Sequence, residues 1–234
     1  MPTLLVISPT ASNEQAELMV RTARRVGIEP MLYGQSCRHP HGKDYQGTEI
    51  VRILTERTDA EYVMGVDAYD VAWLTGEEET LDKFKRFEHP FVMSCERTGV
   101  GGLVKTKNRL TKMCYEVGGT LPQPNIGGWI GERKYALHCF NEAQRLYEHN
   151  PEDPNYNYDN HYQWLAMMKA WGGAEFDLDW FSVIFQSMDG ANYSWVIPNR
   201  RISNMDTLTW PSVAHFHGDP TRVAYREMCA RLLG

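Results

Sequence analysis

Two carboxylates three residues apart, Asp67 and Asp70, follow directly on the apolar run Tyr62-Val63-Met64-Gly65-Val66 and lead into Val71-Ala72-Trp73. Hard divalent cations such as Mn²⁺ and Mg²⁺ take oxygen ligands, often one or two carboxylates, with phosphate oxygens of a substrate completing the shell. A nucleotide diphosphate is the substrate type that suits this chemistry. In open α/β sheets ligands bind beyond the carboxyl ends of the strands, and a strand over 62–66 delivers both acids there. The same residues also read as an exposed loop with two acids, and so short a motif does not separate the two readings.

Other reactive groups are less informative by themselves. Asp159 stands at the head of a helical pattern, where it reads first as an N-cap. His215 sits in a short apolar stretch and reads alone as a satisfied core histidine. Cys37, His39 and His41 lack the spacing of a structural zinc site. The five cysteines are odd in number and scattered, which suits free thiols in a reducing compartment. Lys105, Lys107, Arg109 and Lys112, with Arg97, form the densest cationic stretch. It reads either as a solvated helix face or as a surface for phosphates.

The elements that must position these groups alternate between strand and helix. Leu4–Ile7 reads as a buried strand, Ser12-Asn13-Glu14-Gln15 as the capping box of a helix ended by Gly27, and 28–33 as a second strand, giving a βαβ opening. A long polar loop over 34–47 precedes a helix capped by Thr48 that runs to about Arg57. Tyr62–Val66 is the third strand, Leu81, Phe84 and Phe87 mark a helix, and Phe91–Ser94 is a further strand. Asn125–Gly131 reads as a strand broken by glycines, suited to a bulge or to close approach of a ligand. Ala136, Phe140, Ala143 and Tyr147, then Trp164, Met167, Met168 and Trp171, are taken as the core stripes of two helices. This is an α/β pattern.

With 234 residues, 42% hydrophobic and 23% charged, the chain is long enough for one well-filled core, and it is read as a single domain. The βαβ opening belongs to residues 1–75, and 76–234 is the more mixed remainder of that domain. A net charge of -6 gives no global attraction to nucleic acid or anionic membrane, though it leaves room for a local basic groove. No apolar run reaches bilayer length, and Met1-Pro2-Thr3 leads into a strand pattern without a basic or cleavable leader, so a cytoplasmic location without membrane or obligate protein partner is expected.

Taken in order along the chain, several segments resemble the glycosyltransferase domain of the lysyl hydroxylases and procollagen glycosyltransferases. The resemblance runs from Leu4 to about Arg222. Leu4-Leu5-Val6-Ile7-Ser8-Pro9-Thr10 is similar to the family's first strand and uridine-contacting turn. Val66-Asp67-Ala68-Tyr69-Asp70-Val71 resembles Val-Asp-Ser-Tyr-Asp-Val, Phe91–Glu96 resembles the strand ending in Phe-Ser-Ala-Glu, and Asn125–Gly131 resembles Asn-Ser-Gly-Gly-Phe-Ile-Gly. Leu178-Asp179 and Ile184–Ala191 are similar to Leu-Asp-His and Ile-Phe-Gln-Asn-Leu-Asn-Gly-Ala. His215-Phe216-His217-Gly218 falls where the family has His-Gly-Asn-Gly. No string is specific alone; their shared order is.

The resemblance implies a mixed-sheet, Rossmann-like GT-A fold and a metal-dependent hexosyltransferase using a UDP-sugar. It implies Asp67, Asp70 and His215 as ligands of Mn²⁺ or Mg²⁺ and Tyr69 as the residue stacked on uracil. Ser8, Thr10, Lys43, Asn125, Gly127, Gly128, His217 and Gly218 are the further donor contacts, and Asp159 takes the sugar-orienting or acid-base role. The chain departs from the family in three places. Tyr158-Asp159-Asn160-His161 replaces a run ending in Asp-Asp-Gln, no Cys-Trp-Pro follows Glu96, and Ile50 stands where a phosphate-contacting lysine is found, leaving Lys43, Arg52 or another cation for the diphosphate. A standalone member of phage or bacterial type is expected, with hydroxymethyl-pyrimidine DNA as the favoured acceptor. A protein or glycan hydroxyl, or a non-catalytic nucleotide-sugar or nucleic-acid binding module, is the alternative.

Overall fold

The computed structural model describes residues 3–35, 43–97, 104–149, 160–196, 200–217 and 222–234. Strand β1 (Leu4–Pro9), helix α1 (Asn13–Arg25) and strand β2 (Met31–Tyr33) form the opening βαβ unit, with β1 and β2 parallel. Helix α2 (Lys43–Glu56) leads to β3 (Tyr62–Val66), parallel to β1 on its other side. There follow β4 (Val71–Trp73), α3 (Glu77–Phe84), β5 (Phe91–Glu96), α4 (Val104–Glu116), β6 (Gln123–Glu132), α5 (Arg133–His149) and α6 (Asn160–Trp171). The chain closes with β7 (Asp177–Leu178), β8 (Phe185–Ser187), β9 (Tyr193–Val196), β10 (Arg201–Asn204), β11 (Val213–His215) and α7 (Val223–Leu233).

The main sheet has six strands in the order β2-β1-β3-β6-β5-β7, with β6 antiparallel to both neighbours. It is therefore a mixed α/β sheet. Helices cover both faces, which is why β3 and β5 are buried along their whole length and read as apolar runs rather than alternating ones. On one face Ile53, Leu54, Ala136, Phe140 and Leu165 pack on the sheet; on the other Ala16, Met19, Ala23, Leu81 and Phe84 do. Phe91, Trp129, Phe140 and Phe176 meet with ring centroids 4.9 to 5.9 Å apart, contacts of about 1 kcal/mol each beyond area burial. Trp129 lies opposite Gly65 in the β3–β6 register, and a Cβ at Gly65 would run into its indole.

A second sheet, β4-β11-β8, positions the site. Its far face packs on α7 through Ala72, Leu74, Ala214, Phe216, Tyr225, Met228 and Cys229. Its near face carries Val71, Trp73, Val213 and Phe185 into the core shared with β3 and α1. This sheet joins residues before position 75 with residues after position 180.

Several local expectations change. The capping box at Ser12 does not form: Ser12 is the N-cap without a side-chain bond, and its backbone N–H, which a box would give to a side chain three residues on, donates to the Thr10 hydroxyl instead. Helix α2 begins at Lys43, so Thr48 lies inside it and caps nothing. Strand β2 begins only at Met31, after Pro30, which has no N–H for a ladder. Trp171 is exposed, not core, since α6 ends there and Gly172 turns the chain away with φ of +80°. Ala136, Phe140 and Ala143 are fully buried as expected. No helix among the described residues is long and apolar enough to cross a membrane. Cys95, Cys114, Cys139 and Cys229 are free and buried; the Cys37, His39 and His41 cluster lies outside the described residues.

Candidate active site

Asp67 follows directly on β3, and the chain turns through Ala68, Tyr69 and Asp70 into β4. The Asp67 N–H donates to Gly127 O at 3.1 Å and the Phe216 N–H to Asp70 O at 2.8 Å, which pins both ends of the turn. Because β4 and β11 are antiparallel with Val71 opposite His215, the imidazole reaches the two acids from across the ladder. One ligand atom each from Asp67, Asp70 and His215 lie within 4.8 Å of one another.

His215 Nε2 is 3.4 Å from Asp67 Oδ2 and 3.5 Å from Asp70 Oδ1, too long for good hydrogen bonds. Both Nε2 and Asp70 Oδ1 are buried without a hydrogen-bond partner. Burial opposes a charge on His215, but the two facing carboxylates outweigh it and raise its pKa to about 10. The cluster thus draws a positive charge to its centre.

Glycine makes room beside it. A Cβ at Gly127 would lie 2.6 Å from Asp67 Oδ2 and would also collide with the His215 ring, so only glycine fits. The strand is irregular at this point: the β5–β6 register shifts between Met93 and Ser94. The Asn125 side chain holds the kink, accepting from the Gly127 N–H at 2.6 Å while its own amide donates to Glu96 Oε2 at 2.8 Å. Gly128 meets the Phe185 ring where its Cβ would be.

Glu96 was not foreseen as a site residue. It ends β5, is fully buried, and lies 2.6 Å from His217 Nε2, in a direction that leaves the ring nitrogens without an aligned hydrogen bond. Burial works against its ionisation, yet His217 and Asn125 more than offset that and hold its pKa below the usual carboxylate value. The His215 and His217 rings are 5.1 Å apart. The sequence signal of Glu96 was its place at the carboxyl end of an apolar strand.

At the other end, Tyr69 OH accepts from the Ala11 N–H at 2.7 Å and meets the Thr10 hydroxyl at 3.1 Å. The Arg222 guanidinium lies over the Tyr69 ring, 5.3 Å from its centroid. The Ser8 hydroxyl, fully buried, donates to Val66 O at 2.7 Å, so it braces β1 against β3. Arg52 is bound to Glu49 and Glu56 along the exposed face of α2. Lys43 begins α2; its side chain, Asp159 and Gly218 lie outside the described residues.

Two carboxylates and one imidazole, with no thiolate among them, form a donor set for a hard or borderline divalent ion. The orphaned Nε2 and Oδ1 and the absent side chain at Gly127 fit such an ion.

Two solved structures that share this chain's architecture are glycosyltransferases. A glycosyltransferase involved in glycosylation of the major capsid of PBCV-1 aligns over 99% of this chain and 98% of its own, with a TM-score of 0.57 and 11% identity. The WbbM bifunctional glycosyltransferase aligns over 99% of this chain and 50% of its own, with a TM-score of 0.55 and 9% identity. No curated protein matches the sequence. The fold is that of the GT-A glycosyltransferases. Within that class the chain belongs to the PLOD GT domain family, whose model matches residues 2–226, and it is a glycosyltransferase.

Proposed function

We propose that the enzyme transfers a hexose from a UDP-sugar to a hydroxyl group, using Mn²⁺ or Mg²⁺ held by Asp67, Asp70 and His215. The observation that carries this reading is the buried, unbonded pair Asp70 Oδ1 and His215 Nε2 facing Asp67 beside Gly127. When bound, the cation neutralises the diphosphate and stabilises the departing UDP. The protein's own residues do the rest. Tyr69, its hydroxyl fixed by Ala11 and Thr10, offers its ring to the base, with Arg222 as the cation at that end. The Asn125-braced kink at Gly127 lets the donor lie against backbone. The bond from the sugar's anomeric carbon to the phosphate oxygen breaks, a bond to the acceptor oxygen forms, and the acceptor proton leaves. Asp159, matched by sequence position, is the residue proposed to orient the sugar or move that proton. Asp159→Asn should leave UDP affinity nearly unchanged and lower turnover at least about a hundredfold; wild-type turnover would reduce it to a helix cap.

Calorimetry tests the core of this reading: UDP should bind in Mn²⁺ and not in EDTA, and equal affinities would overturn it. Hydroxymethyl-pyrimidine DNA is the acceptor to test first. Lys105, Arg109 and Lys112 are exposed along α4, and the Arg109 guanidinium stacks over the exposed Trp171 ring at 4.7 Å, an aromatic and cationic surface of the kind nucleic acids use. Arg97 is less suited, since it pairs with Asp206 at 3.0 Å. Acceptor affinity should then fall steeply with salt while UDP-sugar affinity changes little. Mass spectrometry of hydroxymethylated duplex DNA after incubation with UDP-hexoses decides it. No added hexose, alongside transfer to a peptide or glycan hydroxyl, would give the acceptor role to the latter.

A further inference from the structure

Ten buried side-chain atoms among the described residues lack a hydrogen-bond partner, and four of them belong to Asp70, His215 and His217. A fifth is the hydroxyl of Ser187, at the end of β8. Ser187 is 4% exposed. Its main-chain carbonyl accepts from the Gln186 amide at 2.6 Å, so only the side chain is left unbonded. A buried hydroxyl without a partner is uncommon and destabilises a fold.

The strand register says where this hydroxyl points. β8 and β11 are parallel, with Ser187 opposite His215 and Phe185 opposite Val213. Paired residues in neighbouring strands share a face. Phe185, two residues before Ser187 and therefore on that face, lies where a Cβ on Gly128 would be, 2.6 Å from its ring. Gln186 faces the other way and holds Asn204 at 2.7 Å. Ser187 thus stands beside His215 on the face that looks toward the glycine kink. The sheet order then places it in sequence: Tyr69 and Asp70 lead into β4, His215 is on β11, and Ser187 is on β8 beyond. A donor with its base at Tyr69 and its diphosphate across Asp67, Asp70 and His215 extends its sugar toward Ser187.

We infer that the Ser187 hydroxyl is a sugar-contacting residue, hydrogen-bonded to a hydroxyl of the donor's hexose and unpartnered until the donor arrives. This rests on the UDP-sugar reading above. The resembled family has asparagine at the matching place, so this chain presents a shorter group to the sugar. A serine there leaves more room than an asparagine, and one hydroxyl can accept from or donate to the sugar.

The test compares UDP with UDP-glucose and UDP-galactose, each with MnCl₂, by calorimetry on the wild-type protein and Ser187→Ala. UDP lacks the hexose, so its affinity should be unchanged in the variant. The affinity for whichever UDP-hexose the wild type binds better should fall about threefold to tenfold, the range expected for one lost hydrogen bond. Thermal unfolding without ligand supplies a second reading: a ligand-facing orphan predicts that Ser187→Ala is as stable as wild type or more so, whereas a structural hydroxyl predicts a lower Tm. Equal loss for UDP and UDP-hexose, no loss for either UDP-hexose, or a lowered Tm would each overturn the inference while leaving the donor reading in place. Failure of wild-type protein to bind UDP in Mn²⁺ would overturn both.

Discussion

Two acids of the fold, Asp179 and Asp70, differ in how their carboxylates are satisfied. Asp179, just past β7, accepts the backbone N–H groups of Val183, Ile184 and Phe185 at 2.7 to 2.8 Å, so its carboxylate is fully occupied. Asp70 keeps one oxygen buried and unbonded, facing an imidazole nitrogen in the same condition. The complete set shapes a loop, and the incomplete set is the one proposed to hold an ion. Burial raises the Asp179 pKa to about 6 against the opposing pull of those three N–H groups.

The largest expected effect breaks the comparison at its functional end. Asp70→Ala should lower Mn²⁺-dependent UDP affinity at least about a hundredfold, with a cooperative thermal transition preserved. Asp179→Ala should do the reverse. Three buried N–H groups would lose their acceptor, at a cost of about 3 kcal/mol or more in denaturant unfolding, while the UDP affinity of the remaining folded protein stays near wild type. If Asp179→Ala abolished UDP binding in folded protein, the separation of the two acids would fail.

Gly127→Ala sharpens the functional side. Its Cβ must displace Asp67 or His215, and a roughly tenfold loss of UDP affinity in Mn²⁺ should follow without loss of fold; an unchanged affinity would mean that the cluster does not need that space.

A third acid gives the smallest effect. Glu79 is ringed by Lys83, Thr75 and Arg201. Burial works against its charge, yet these partners outweigh it and bring its pKa down to about 2 from an ordinary 4.5. Its stabilisation is therefore present above pH 4.5 and lost as pH falls toward 2. With the carboxylate 38% exposed, screening leaves on the order of 1 kcal/mol. Glu79→Gln should flatten the acid limb of the stability curve by that amount, and an unchanged limb would show the ring of partners to be inert.

The strands around the site were legible because they are buried on both faces: the apolar run 62–66 matches β3 and the run from Phe91 matches β5. Asp67 and Asp70 were visible for the same reason, standing where such a run stops. His215 was different. Its apolar surroundings describe a core histidine equally well; the family resemblance alone singled it out in the sequence, and its ladder position opposite Val71 is what brings it to the acids. β4 and β11 are three residues long, too short for periodicity to register. Ser187 stood inside a segment matched by resemblance, but its closeness to His215 came only from the strand beside it. Local capping failed in the other direction: Ser12 and Thr48 had the right chemistry for helix starts, but Thr10 and the earlier turns of α2 had taken the positions.

The β4–β11 ladder has a further consequence for how the enzyme comes to life. Its two acids are synthesised well before its imidazole, with β5 to β10 in between. A nascent chain carrying everything through β10 holds two of the three clustered side chains and lacks the strand that lies against β4, so the cluster cannot assemble before β11 is made. An ion bound across that ladder also ties an early strand to a late one, and by mass action it would resist any opening that separates them.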